Sequence, residues 1–123
     1  MQRDDVASRL VAALERDDEL ALASLLNSEV RLFVDTGDES GGELRGRVRV
    51  IRTLSTRLAR HPDASLLTVH LNGGPGLALR RRGGEVVGVL GIGTGIDGSI
   101  VELWLSTATP KLAHWNGRRP DAG

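Results

Sequence analysis

Val6, Leu10, Ala13 and Leu14 recur at helical spacing behind Asp4-Asp5. Acids favour a helix N-terminus, so the chain is predicted to open with a helix. Asp17-Asp18-Glu19 break that helix and start a second, short one, with Leu22, Leu25 and Leu26 on one face and Asn27 as its stop. Val30, Leu32 and Val34 then alternate with Arg31, Phe33 and Asp35, which predicts a strand. A turn-rich loop, 36–42, follows. The segment 44–50 alternates like a strand, yet Val50/Ile51, Leu54 and Leu58 keep a helical period. We read a short extended piece to Gly46 and a third helix to about Arg60. His61-Pro62-Asp63 ends it, because a residue before proline disfavours the helical region.

After Pro62 the period changes to two. Leu67, Val69 and Leu71 alternate with Leu66, Thr68, His70 and Asn72. Gly73-Gly74-Pro75-Gly76 reads as a reversal, 77–80 as a strand, and Gly83-Gly84 as a turn. Val86 to Ile92 is an apolar strand, 93–98 another turn, and Ile100 to Leu105 the last strand. Three helices therefore lead, one strand sits among them, and an antiparallel meander follows. That order predicts an α+β domain, with helices packed on one face of a strongly bent, mostly antiparallel sheet. Gly88 and Gly91 inside a strand mark bends or close backbone approach. Such a sheet would enclose a cavity beside the helices.

Composition narrows the chemistry. The 123 residues predict a single domain, with a core at 4–115 and a tail at 116–123. There is no Cys, which removes disulfides, thiolate zinc sites and thiol nucleophiles together. No apolar run reaches the roughly 18 residues of a membrane span. The acidic N-terminus lacks the apolar stretch of a signal peptide, so the expected location is the cytoplasm. The formal net charge of zero hides a split: 11 acids and 4 bases in residues 1–43, against 5 acids and 12 bases in 44–123. Internal neutralisation, with the acidic helices lying beside the basic third helix, is the expected use of that split. Two arginine-rich stretches, 45–60 and 80–82, would suit nucleic acid only with stacking aromatics beside them. Only Phe33, Trp104 and Trp115 are aromatic, so direct nucleic-acid binding is not expected. His61, His70 and His114 lack metal-ligand spacing, so neither a metal nor a cofactor is expected. The run Gly91-Ile92-Gly93-Thr94-Gly95 leads into a strand rather than a helix, unlike a dinucleotide loop.

Five stretches resemble a known family. Arg9 to Leu14 with its acidic turn, and Leu44-Arg45-Gly46 before the third helix, are similar to the nuclear-transport-factor-2-like fold. That fold includes SnoaL-like cyclases and ketosteroid isomerases. His70 to Gly76, Gly98 to Trp104 and Lys111 to Trp115 resemble more narrowly the SnoaL-like domain at the C-terminus of some extracytoplasmic-function sigma factors. The resemblance spans about residues 4–115 and implies a cone-shaped, cystatin-like α+β fold. It departs at Ala108 to Leu112, which lacks the Asn-Pro-Asp of those domains, and at 35–42, which lacks a loop lysine. No sigma region is present, and the start at Met1 favours a stand-alone relative over an excised domain.

The resemblance implies an apolar pocket that binds a small apolar or amphipathic molecule, or regulates a partner as sigma-factor accessory domains would. It also implies a homodimer through the sheet. The alternative is a cofactor-independent cyclase, isomerase or lyase using Asp35 and His70, with Phe33, Asn72, Glu102 and Trp104 lining the pocket. Histidine is the usual proton carrier near neutral pH. That reading requires Asp35 and His70 to face one cavity, and it fails if either points to solvent. Their plainer roles are structural: Asp35 bonding the following turn amides, His70 bonding a neighbouring backbone, and Asn72 shaping the glycine-rich turn. Steroid-type isomerisation is disfavoured on the residues. The resemblance puts Leu10 where the isomerases carry tyrosine, and 86–92 holds no acid or hydroxyl for an oxyanion hole.

Overall fold

One acidic triplet shapes the first two helices. In the computed structural model, which describes residues 5–39, 41–71, 73–108 and 112–113, α1 runs Asp5–Glu15 and α2 runs Glu19–Leu25. Asp17 takes a left-handed φ of 52°. The Asp18 amide donates to the Ala13 carbonyl at 3.0 Å, closing α1 in a Schellman-type turn. The Asp18 carboxylate then accepts from the Ala21 amide at 3.1 Å and caps α2.

The chain continues as β1 (Leu26–Asp35), β2 (Gly42–Arg45), α3 (Arg47–Ala59), β3 (Ser65–Leu71), β4 (Gly74–Arg80), β5 (Val86–Thr94) and β6 (Ile100–Ser106). Gly46 joins β2 to α3 at φ 98°, a conformation that strains any residue with a Cβ. Its amide donates to the Val30 carbonyl at 2.8 Å, tying the entry of α3 to β1. The strand order is β2-β1-β6-β5-β4-β3, a single six-stranded sheet. All neighbours are antiparallel except β1 and β6, which run parallel.

The elements follow the sequence pattern with four differences. The extended piece before Gly46 is a strand in its own right, paired to β1. β1 starts at Leu26, directly after α2, rather than beyond Asn27. Gly74-Pro75-Gly76 belongs to β4, opposite Val69 to Leu71, so the reversal is tighter than the glycines suggest. Plain alternation from Ile100 to Leu105 would put Ile100, Glu102 and Trp104 on one face, but the β5–β6 register slips between Gly93 and Thr94, and Ile100 turns into the core.

The core lies between the helices and the concave side of the sheet. Leu10, Leu22, Leu32, Val50, Ile100 and Leu103 are fully buried there. Leu10, the position that the isomerase comparison singles out, is thus plain core. The expected charge neutralisation is not built from ion pairs. Among the described residues none joins an acid of α1 or α2 to an arginine of α3, although the Ser55 hydroxyl reaches the Asp17 carboxylate at 3.5 Å. Among the described residues no helix is long and apolar enough to cross a membrane. The predicted tail, 116–123, lies outside the described residues.

Candidate functional site

A cavity of about 340 Å³ opens between α3 and the concave face of the sheet. Leu14 of α1 and Leu54 and Leu58 of α3 form its helical wall. Leu66, Leu77, Leu79, Leu90 and Leu105 form the strand wall, and Gly88 leaves one stretch of it bare. Such a size falls at the lower end of small-molecule sites, which are mostly apolar with a few placed polar groups. The polar groups here are Arg57, Arg60, His61, Glu85 and Thr107. Arg57 and His61 are half-buried, whereas Arg60 and Glu85 are exposed.

The cavity owes its place to two local features. Leu54 and Leu58 lie one helical turn apart and continue the buried stripe of α3 towards its C-terminus. On β5 the pairing with β4 slips between Leu79 and Arg80, so Val86 pairs with Arg80 while Gly88 pairs with Leu79. Through this bulge Val86 shares the face of Ala78 and packs with it and Leu112 at the edge of the cavity, which Val86 and Leu112 also line, while Gly88 faces inward. The sequence reading places Leu14, Leu54, Leu58, Leu66, His61 and Gly88 on their helices, strands and turns but assigns none of them to a site. The available signal was the leucine stripe of α3 running on into Arg57, Arg60 and His61.

Among the described residues, none of those assigned to a site from sequence (Asp35, His70, Phe33, Glu102 and Trp104) lines this cavity. Directly paired residues on neighbouring strands share a face of a sheet. The pairings Asp35–Ser106, Ser106–Val89, Val89–Ala78 and Ala78–Leu67 therefore put Asp35 and Leu67 on one face. His70 has the opposite parity and lies on the other face, where it is exposed. Four strand spacings of about 4.8 Å also separate their strands, roughly 19 Å within the sheet. The two residues do not share a cavity. Asp35 instead accepts a hydrogen bond from the Gly37 amide at 3.0 Å, in the turn that follows its strand.

Phe33, Glu102 and Trp104 do come together, on the convex face. The Phe33 and Trp104 rings stack with centroids 6.3 Å apart and planes 13° from parallel. The Arg31 guanidinium lies 5.3 Å above the centre of the Phe33 ring and pairs with Glu102. A Cβ on Gly93 would come within 3.0 Å of the Trp104 ring, so the indole lies across β5 only because no side chain stands there. Trp104 is 45% exposed, which makes it neither core nor cavity wall. Asn72 lies outside the described residues.

Electrostatically, the cavity rim is uneven. On the hairpin side Arg81 sits between two carboxylates, Asp63 at 3.6 Å and Glu85 at 3.9 Å. Desolvation pushes the Asp63 carboxyl up, but hydrogen bonds from the Arg82 amide and its own amide, with the Arg81 guanidinium, outweigh it and hold the group below its ordinary value. On the α3 side, no carboxylate among the described residues pairs with Arg57, Arg60 or His61.

Helices packed on the concave side of a six-stranded sheet, with its first and last strands paired in parallel, form the SnoaL-like, nuclear-transport-factor-2-like fold, and solved structures of that kind match this chain. Among them is the extracytoplasmic-function sigma factor SigJ of Mycobacterium tuberculosis, with 23% identity over 89% of this chain and a TM-score of 0.65; this chain corresponds to 44% of that one. A SnoaL-like protein of unknown function from Burkholderia thailandensis matches at 18% identity, 85% of this chain and 94% of its own, with a TM-score of 0.62. IdmH from Streptomyces antibioticus, a candidate polyketide cyclase, matches at 17% identity, 96% of this chain and all of its own, with a TM-score of 0.62. At these identities the likeness is one of fold. No protein-family profile matches the sequence, and no curated protein matches it.

Proposed function

We propose that this chain is a small-molecule-binding domain whose cavity, occupied or empty, regulates a partner. The observation that carries the reading is the 340 Å³ cavity, walled by leucines from α1, α3 and four strands. Catalysis through Asp35 and His70 lacks support, because the two lie on opposite faces and neither lines the cavity. The likeness to part of a sigma factor supports a regulatory role. Titration with decan-1-ol, a neutral apolar probe, followed by amide NMR, tests the reading. Saturable shifts confined to amides around Leu54, Leu66, Leu79 and Leu105 are expected. Shifts scattered over the surface, or none, would overturn it.

A second observation supports self-association through the convex face. The Phe33–Trp104 stack is flanked there by arginines and glutamates of both signs: Arg31 with Glu102, and Arg45 with Glu43. A patch carrying an apolar centre and both charges is self-complementary about a two-fold axis, as an isologous dimer requires. Sedimentation equilibrium should show a dimer, and Trp104→Arg should weaken it at least tenfold by placing like charges at the centre. A wild-type monomer at 100 micromolar (roughly the upper range of weak association) would remove the proposal.

A further inference from the structure

We infer that the cavity selects an anionic amphiphile, with a carboxylate head held by Arg57, Arg60 and His61 and an aliphatic tail among the leucines. The inference rests on the small-molecule reading above and names the ligand class. Arg57, Arg60 and His61 stand three and four positions apart at the end of α3, so they present neighbouring side chains to one side of the mouth. A base in the last turn of a helix ordinarily offsets the negative end of its dipole or caps its carbonyls. Here the backbone already does the capping: the Arg60 amide donates to the Arg57 and Leu58 carbonyls, and the His61 amide to Leu58.

Neither does ion pairing account for them. Asp63, two residues beyond His61, and Glu85, which also lines the cavity, are both engaged by Arg81. Two guanidiniums without a carboxylate partner among the described residues therefore edge an apolar chamber. A guanidinium matches a carboxylate in planar, two-bonded geometry, and that match is stronger beside a low-dielectric wall than in open water. The chamber holds about eleven groups of water size, at roughly 30 Å³ each. That suits a medium-length chain lying along Leu58, Leu66, Leu79 and Leu105.

Calorimetric titration with decanoate and with decan-1-ol tests this, because the two differ only at the head group. The wild-type protein should bind decanoate at least tenfold more tightly, about 1.4 kcal/mol, and added salt should narrow the gap. In the double variant Arg57→Gln/Arg60→Gln the gap should close. The single variant Arg60→Gln, at an exposed position, should halve its logarithm and serves if the double variant does not fold. Equal affinities in the wild type would overturn the anion selectivity while leaving the apolar cavity intact. A gap that persists in the double variant would overturn the assignment of the head group. Binding of neither probe would overturn both this inference and the small-molecule reading.

Discussion

Leu103→Ala should cost about 2–5 kcal/mol of unfolding free energy, the range for a leucine truncated inside a packed core. Leu103 is fully buried on β6, between β1 and β5, with Leu32 and Ile92 as its direct cross-strand partners. Truncation there loses both the transfer energy of the side chain and its contacts, and the pinned strands on either side leave little room to collapse. Domains of this size hold about 5–15 kcal/mol in total, so the variant should lie near the edge of folding. Urea denaturation gives the comparison, with Leu20→Ala as control. Leu20 is 84% exposed, and its loss should stay within about 0.5 kcal/mol. A Leu103→Ala cost below about 1 kcal/mol would contradict the central place of β6.

Gly88→Leu should abolish binding of decan-1-ol while raising stability. A Cβ at Gly88 would meet Thr107 Cγ2 at 3.7 Å, the Ser106 carbonyl oxygen at 3.8 Å and Leu105 Cδ1 at 3.9 Å, all ordinary contacts. The isobutyl group beyond it has the cavity to enter. Filling that space buries apolar surface worth about 1.5–3 kcal/mol for a whole leucine side chain. Removing a strand glycine adds about 0.5–1 kcal/mol by reducing unfolded-chain entropy. The same leucine takes the volume that a ligand would need, so affinity should fall more than tenfold. Thermal unfolding and the decan-1-ol titration together read both effects. Unchanged affinity in a stabilised variant would show that the probe binds elsewhere.

Most of the helices and strands are readable because they carry a dominant period. The acidic triplet at 17–19, the Leu-Arg-Gly before α3 and the alternation after Pro62 each locate an element boundary from local chemistry alone. The site was not readable, and the reason is parity. Alternation along β3 separates Leu67, Val69 and Leu71 from Leu66, Thr68 and His70 without saying which set meets the helices. The more regular apolar set lies on the convex face, and Asp35, Phe33, Glu102 and Trp104 lie there with it, away from the cavity, whereas His70 is on the cavity side but outside its lining. Two bulges, at Val86 and at Ile100, then switch faces within single strands. Neither bulge has a sequence mark stronger than a glycine nearby. The cavity itself is formed by residues that look like ordinary core until the space left beside Gly88 is seen.

The parallel pairing of β1 with β6 also fixes the order in which the chain can become a protein. Arg31 and Glu102, joined across that pair, are 71 positions apart. As the ribosome releases the chain from its N-terminal end, β1 emerges with α1, α2 and β2 but waits for nearly all of the meander before its central neighbour exists. Contacts of such long sequence separation slow folding, because loop-closure entropy must be met before they form. Until β6 arrives, one side of β1 is an open strand edge, the kind of surface that invites pairing with another chain. Chaperone dependence during synthesis should accordingly concentrate in the interval between translation of Asp35 and translation of Ser106.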